Sequence, residues 1–148
     1  FINAVPISET MIHGDYHILN LMTEGGRIRL IDLADCMSGN PVFDLLITNL
    51  YLHYMPVYLP DFCKVLVKVT PQQLLSCWEQ FVRSYFGTEN EKEIDRINTI
   101  LNIYSMLKLI LAPYSFSNLR KEDCAGIVET GRQGLMLFID EYTGVLPF

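Results

Sequence analysis

The sequence has no uninterrupted apolar run close to the ~18 residues that a membrane-spanning helix needs. Asp44, Asn49 and His53 break one candidate run, and Lys108 breaks the other. No basic region leads into an apolar core between Phe1 and Asp15, so no secretory leader and no membrane partner are expected. Basic residues are in deficit, 11 Lys and Arg against 17 Asp and Glu for a net charge of −6. That argues against a surface built to neutralise a nucleic-acid polymer or anionic lipid, yet leaves room for one nucleotide at a local site. There is no Cys-x-x-Cys pair; Cys36, Cys63, Cys77 and Cys124 are far apart, and buried free thiols of a cytoplasmic protein are expected rather than disulfides. Charge itself is scarce, 19% against 50% hydrophobic residues, which excludes a disordered chain. A length of 148 residues suits a single domain over 1–148.

What is present falls into two regimes. From about residue 10 to 35 the pattern is short and strand-like. Met11 and Ile12 precede a polar loop, Glu24-Gly25-Gly26 marks a tight turn, and apolar residues on both sides predict a β-hairpin at roughly 20–23 and 27–31. From residue 40 the period becomes helical. Asn40-Pro41 places a cap before a proline and opens a helix to about Tyr54. Pro56 and Pro60 punctuate a loop, and Asp61 starts a short helix. Thr70-Pro71 opens another that ends near Gly87. After Asn90 a long helix carries the stripe Ile94, Ile97, Leu101, Tyr104, Leu107 and Leu111 until Pro113 stops it. A last helix spans about Lys121 to Tyr142. The predicted fold class is mainly α with a small β-hairpin.

The chemistry concentrates in His13-Gly14-Asp15-Tyr16-His17-Ile18-Leu19-Asn20, followed by Ile31-Asp32-Leu33-Ala34-Asp35. A hairpin between Asn20 and Asp32 folds the two back side by side. Hard oxygen donors converging in this way suit Mg²⁺, which takes one or two protein oxygens and completes its shell with water and phosphate. Asp15, on the neighbouring loop, is placed to accept a proton from an attacking hydroxyl, and His13 to fix the loop. A rival reading uses His13, Asp15 and His17 as three ligands along one side of an extended loop, as in a metallohydrolase.

An H-x-D-x-x-x-x-N loop, a hairpin and then an Asp is the catalytic-loop and metal-loop order of protein kinases. The His-Gly-Asp and Ile-Asp-x-x-Asp forms found here resemble the aminoglycoside phosphotransferase and choline kinase branch of that superfamily. So does the segment Gly39-Asn40-Pro41-Val42-Phe43-Asp44-Leu45. The resemblance covers residues 12 to 46. It implies a kinase-like C-terminal lobe using ATP and Mg²⁺, with Asp15 as catalytic base beside His13. It further implies Asn20 and Asp32 as metal and cofactor ligands, and Asp44 as a buried carboxylate bracing the loop through its backbone amides. The implied reaction is phosphorylation of a hydroxyl on a small molecule: an aminoglycoside, choline, a sugar or an amino-alcohol.

Only twelve residues precede His13, and no glycine-rich loop is among them. The chain therefore reads as the C-terminal lobe alone, its partner being a missing N-terminal lobe. Apolar residues around Met11, Met22 and Ile31 would face that lobe and invite a homodimer in its absence. Such a lobe kept only as a non-catalytic binding module is the second functional reading. Asp35 is either a carboxylate behind the metal ligands or a turn residue. Tyr51, Tyr54 and Tyr58 line either an acceptor pocket or the core. Trp78, Phe81 and Tyr85 read as core, and Arg120 to Asp123 as a solvated helix start.

Overall fold

The computed structural model of the chain describes residue 5 and residues 7–61, 68–115 and 121–141. It is mainly helical, with two small antiparallel two-stranded sheets. Two compact units divide it, Phe1–Tyr85 and Phe86–Phe148.

In the first unit, β2 (Leu21–Glu24) and β3 (Arg27–Leu30) form the expected hairpin, with Leu21 opposite Leu30 and Glu24 opposite Arg27. Gly25 and Gly26 both take positive φ, 56° and 75°, the conformation that a two-residue hairpin turn demands. The second sheet pairs β1 (Thr10–Ile12) with β4 (Met37–Gly39). Sequence pattern missed β4, because Met-Ser-Gly has no strand periodicity; its pairing with β1 supplies the order. This ladder ties the chain entering the polar loop to the chain leaving the Asp32 turn.

Asn40 caps α1 (Val42–Asn49), its Oδ1 accepting the Val42 N–H at 2.9 Å. The helical path does not stop at Tyr54. It widens into a π-turn at Leu50–Tyr54 and continues as α2 (Met55–Tyr58), so Pro56 lies inside a helix and not in a loop. A proline ring clashes with the carbonyl four residues back in a regular helix, and a wide turn ahead of it gives the ring room. The helix predicted from Asp61 lies, beyond that residue, outside the described residues. In α3 (Pro71–Phe86) Thr70 and Gln73 cap reciprocally, Thr70 N–H to Gln73 Oε1 at 2.9 Å and Gln73 N–H to Thr70 Oγ1 at 3.3 Å. Gly87 ends it at φ 63°. Trp78 is core, stacked on His53 and Phe81, whereas Tyr85 is 46% exposed and corrects the core reading there.

The second unit is a packed pair of long helices, α4 (Glu91–Ser115) and α5 (Lys121–Phe138). Ile97, Ile100, Leu101, Ile103 and Met106 are fully buried, each worth about 1.5–3 kcal/mol of transfer free energy. Two expectations fail here. Leu111 is half exposed, and the helix passes Pro113 to end at Ser115. The proline ring removes one backbone donor, too little to unwind a packed helix. Tyr142 and Arg120 lie outside the described residues, as does Cys63. Cys36, Cys77 and Cys124 are free, but Cys77 is exposed and the other two half-buried, because α3 turns Cys77 away from the Leu74–Trp78–Val82 stripe.

Two glycines of α5, Gly126 and Gly131, give opposite predictions. A Cβ at Gly131 would sit 2.9 Å from both the Met106 carbonyl oxygen and Ile110 Cγ1, so Gly131→Ala forces α4 and α5 apart and is expected to cost about 1–3 kcal/mol. Gly126 meets nothing within 4 Å, and Gly126→Ala is expected to add about 0.5–1 kcal/mol of stability. Urea unfolding of the two variants checks both signs.

Candidate active site

The site grows from the turn between β1 and the hairpin. The His13 and Gly14 amides each donate to one oxygen of Asp44, at 2.8 Å to Oδ2 and 2.8 Å to Oδ1. Asp44 stands in the first turn of α1, where the helix dipole favours a negative charge. It is half-buried rather than buried, since its carboxylate lies at the rim between helix and loop. A second anchor runs from Thr48 Oγ1, one helical turn on, to the Tyr16 carbonyl at 2.8 Å.

His13 is buried, and both its ring nitrogens are occupied. Nε2 lies 2.9 Å from the Ile31 carbonyl oxygen, and Nδ1 accepts the Asp15 N–H at 3.3 Å. The acceptor role of Nδ1 puts the proton on Nε2, which donates to Ile31. One imidazole thereby joins the loop to the residue before Asp32. Gly14 lies where the loop passes closest to the next turn. Its φ is 84°, and a Cβ there would fall 2.5 Å from the Asp35 carbonyl oxygen. Only glycine fits.

Asn20 is buried at the end of a short 3₁₀ turn, Ile18–Asn20. Its Nδ2 donates to the Asp15 carbonyl at 2.9 Å, which turns Oδ1 outward with no partner among the described residues. Its own carbonyl accepts the Ile31 N–H at 3.0 Å, so the hairpin register brings Asn20 next to the residue preceding Asp32. Asp32 is exposed and takes φ 59°, ψ 63°, a left-handed conformation that non-glycine residues adopt at a cost and often at functional sites. Its carboxylate has no partner among the described residues. An amide oxygen and a free carboxylate are the hard donors that Mg²⁺ takes. Among the described residues no three His, Cys, Asp or Glu side chains are grouped to hold a metal. His13, with both nitrogens engaged, offers nothing to the three-ligand arrangement with Asp15 and His17.

Residues 2–57 match the phosphotransferase enzyme family. The matched stretch contains the whole loop, the hairpin and Asp44, and the resemblance to aminoglycoside phosphotransferase-like members of the kinase superfamily holds over it. At the level of that family, the chemistry is phosphotransfer. No curated protein and no solved structure matches the chain. Among the described residues, no helix is long and apolar enough to cross a membrane.

Two features of this matched segment were not read from sequence. The His17 ring stacks on Tyr51, centroids 4.8 Å apart at 21°, and its Nε2 lies 3.2 Å from Asp15 Oδ2. Burial first, and then the Asp15 charge, push the Tyr51 phenol above its ordinary 10, so it stays neutral across the physiological range. No sequence spacing signals this stack, since the two rings lie on different elements. Of the other tyrosines weighed for an acceptor pocket, Tyr54 is core and Tyr58 is exposed. Asp35 is exposed, with its backbone against Gly14. Met11, Met22 and Ile31 are 79%, 53% and 37% exposed.

Asp44→Ala removes the carboxylate that accepts from the His13 and Gly14 amides, at about 1–3 kcal/mol for each lost bond. A fall in melting temperature is expected, and Asp44→Asn, which keeps one acceptor oxygen, is expected to recover about half of it. Thermal unfolding of the pair is the measurement.

Proposed function

We propose that the protein is an ATP- and Mg²⁺-dependent phosphotransferase acting on a hydroxyl of a small molecule, with Asp15 as the base. The observation that supports it is the division of labour at Asn20. Its amide nitrogen is committed to the Asp15 backbone, so its oxygen is presented on the side where the hairpin brings Asp32. The proposed base and Asn20 thus share one loop, and the hairpin returns the chain so that Asp32 follows the residue bonded to Asn20. Mg²⁺ held by Asn20 Oδ1 and Asp32 would neutralise phosphate charge. The chain's own residues do the rest. Asp15 orients the acceptor O–H and receives its proton as the new O–P bond forms and the bond to the ADP oxygen breaks. His13 and Asp44 hold the loop so that this geometry is set before substrate arrives.

The acceptor fits the classes the resemblance implies: an aminoglycoside, choline, a sugar or an amino-alcohol, with the net charge of −6 favouring a cationic one. An N-terminal lobe is the partner this reading calls for, covering the apolar face at Met11, Met22 and Ile31, and a cytoplasmic setting supplies the nucleotide. No observation favours the binding-module or metallohydrolase readings over it.

In the full-length protein, Asp15→Asn is expected to lower phosphoryl transfer by about 10²–10⁴-fold while ATP affinity holds, because a proton acceptor is lost and no phosphate contact. Asn20→Ala and Asp32→Ala are expected instead to raise the Mg²⁺ concentration at half-maximal rate, Asp32 more steeply since it carries the charge. Transfer from radiolabelled ATP to a panel of small alcohols, titrated with Mg²⁺, reads all three. Asp15→Asn within a fewfold of wild type would remove Asp15 as base. A wild-type protein that binds MgATP and transfers to no acceptor would favour the binding module.

A further inference from the structure

The loop carries a second histidine that the proposed chemistry leaves without a part. His17 is held from three sides. Its Nδ1 accepts the Leu19 N–H at 3.2 Å, its face lies on Tyr51, and its Nε2 is 3.2 Å from Asp15 Oδ2. Because Nδ1 is an acceptor, a neutral ring carries its proton on Nε2, the atom nearest the carboxylate. Asn20 Nδ2 lies 3.5 Å from the same Oδ2 and 3.5 Å from His17 Nε2; with the proton on Nε2, the amide can donate, of these two, only to the carboxylate. Asp15 Oδ1 has no partner among the described residues and is the oxygen left to meet an acceptor hydroxyl. Tyr51 belongs to the π-turn Leu50–Tyr54, a widened turn that re-aims the side chains it carries.

We infer that His17 is a positioning residue for Asp15: its Nε2–H engages Oδ2 and fixes the carboxylate rotamer, while Tyr51 fixes the His17 ring plane. The inference rests on the reading of Asp15 as base. An aspartate on a loop has two free torsions, and a donor on one oxygen removes the rotation that would carry the other away from the acceptor. Tyr51 acts through His17, by a stacked face and not by contact with substrate. The order of dependence is Tyr51, then His17, then Asp15.

His17→Phe keeps an aromatic ring on Tyr51 and removes the donor. In the full-length protein it is expected to lower kcat about tenfold to a hundredfold, the scale of a misplaced reacting group, with the KM for ATP and the Mg²⁺ requirement unchanged. His17→Gln, whose Nε2 reaches a comparable position, is expected to return kcat to within about fivefold of wild type. Tyr51→Leu is expected to lower kcat alone, and to have no added effect in the His17→Phe background. A readout free of activity is the ¹⁵N NMR spectrum of the chain above neutral pH, where His17 should appear as the Nε2–H tautomer. Four results overturn the inference: an Nδ1–H tautomer, a His17→Phe enzyme within twofold of wild type, failure of His17→Gln to rescue a folded protein, or a His17→Phe defect cured by excess Mg²⁺, which would place the effect on Asn20. If Asp15→Asn is inactive while His17→Phe is normal, this inference falls and the base stands. If Asp15→Asn is active, the base itself falls.

Discussion

Two backbone N–H groups at the start of the loop, those of His13 and Gly14, share the two oxygens of the Asp44 carboxylate. Everything chemical in the first unit depends on that fork. Amides in a tight turn have no strand or helix partner, and leaving a pair of them unsatisfied costs more than the net worth of most single contacts. A charged acceptor seated in the first turn of a helix answers both at once, with hydrogen bonds stronger than neutral ones. The loop is thereby fastened to α1, which Val42, Leu45 and Leu46 bury in the core of the unit. Loop position is inherited from packing.

From that anchor the geometry propagates by obligatory valence. With its amide tied to Asp44, His13 can turn its ring only toward Ile31, and it links two strands of chain that no sheet joins. Gly14 lets the loop pass against Asp35 at a distance no side chain tolerates. Asn20 uses its donor internally and exposes its acceptor, whereas an aspartate there would have no donor to spend. Asp32 is driven into the left-handed region by the exit from the hairpin, and strain of that kind persists where the surrounding structure over-determines it. Each residue type is the one its hydrogen-bond valence requires.

The hairpin, the capped helix and the loop were legible from sequence because each is written in local chemistry: a Glu-Gly-Gly turn, an Asn-Pro cap, a fixed spacing of Asp and Asn. What escaped was written in distance. β4 has no periodicity of its own and exists because β1 pairs with it across the whole loop and hairpin. Pro56 and Pro113 announce breaks, yet both lie inside helices. Leu111 fits the apolar stripe of α4 by count, yet stands half exposed. Periodicity gives the face of a helix and is silent on how far along that face the partner reaches.

The Tyr51–His17 stack shows the same limit at the site itself. Nothing in the spacing of the two residues predicts that they meet, since one lies on the loop and the other on the helix that carries Asp44. They meet because Asp44 and Thr48 fasten the loop to successive turns of α1 and the widened turn follows directly, presenting Tyr51 to the loop. A regular helix would advance each later side chain by about 100° per residue and turn position 51 to a different heading. The widened turn that accommodates Pro56 therefore also bears on Asp15, through the Tyr51–His17 stack. That coupling makes Pro56 part of the same construction as Asp15. A proline that looks like a loop marker sits, in this fold, in the helix that follows the wide turn carrying Tyr51.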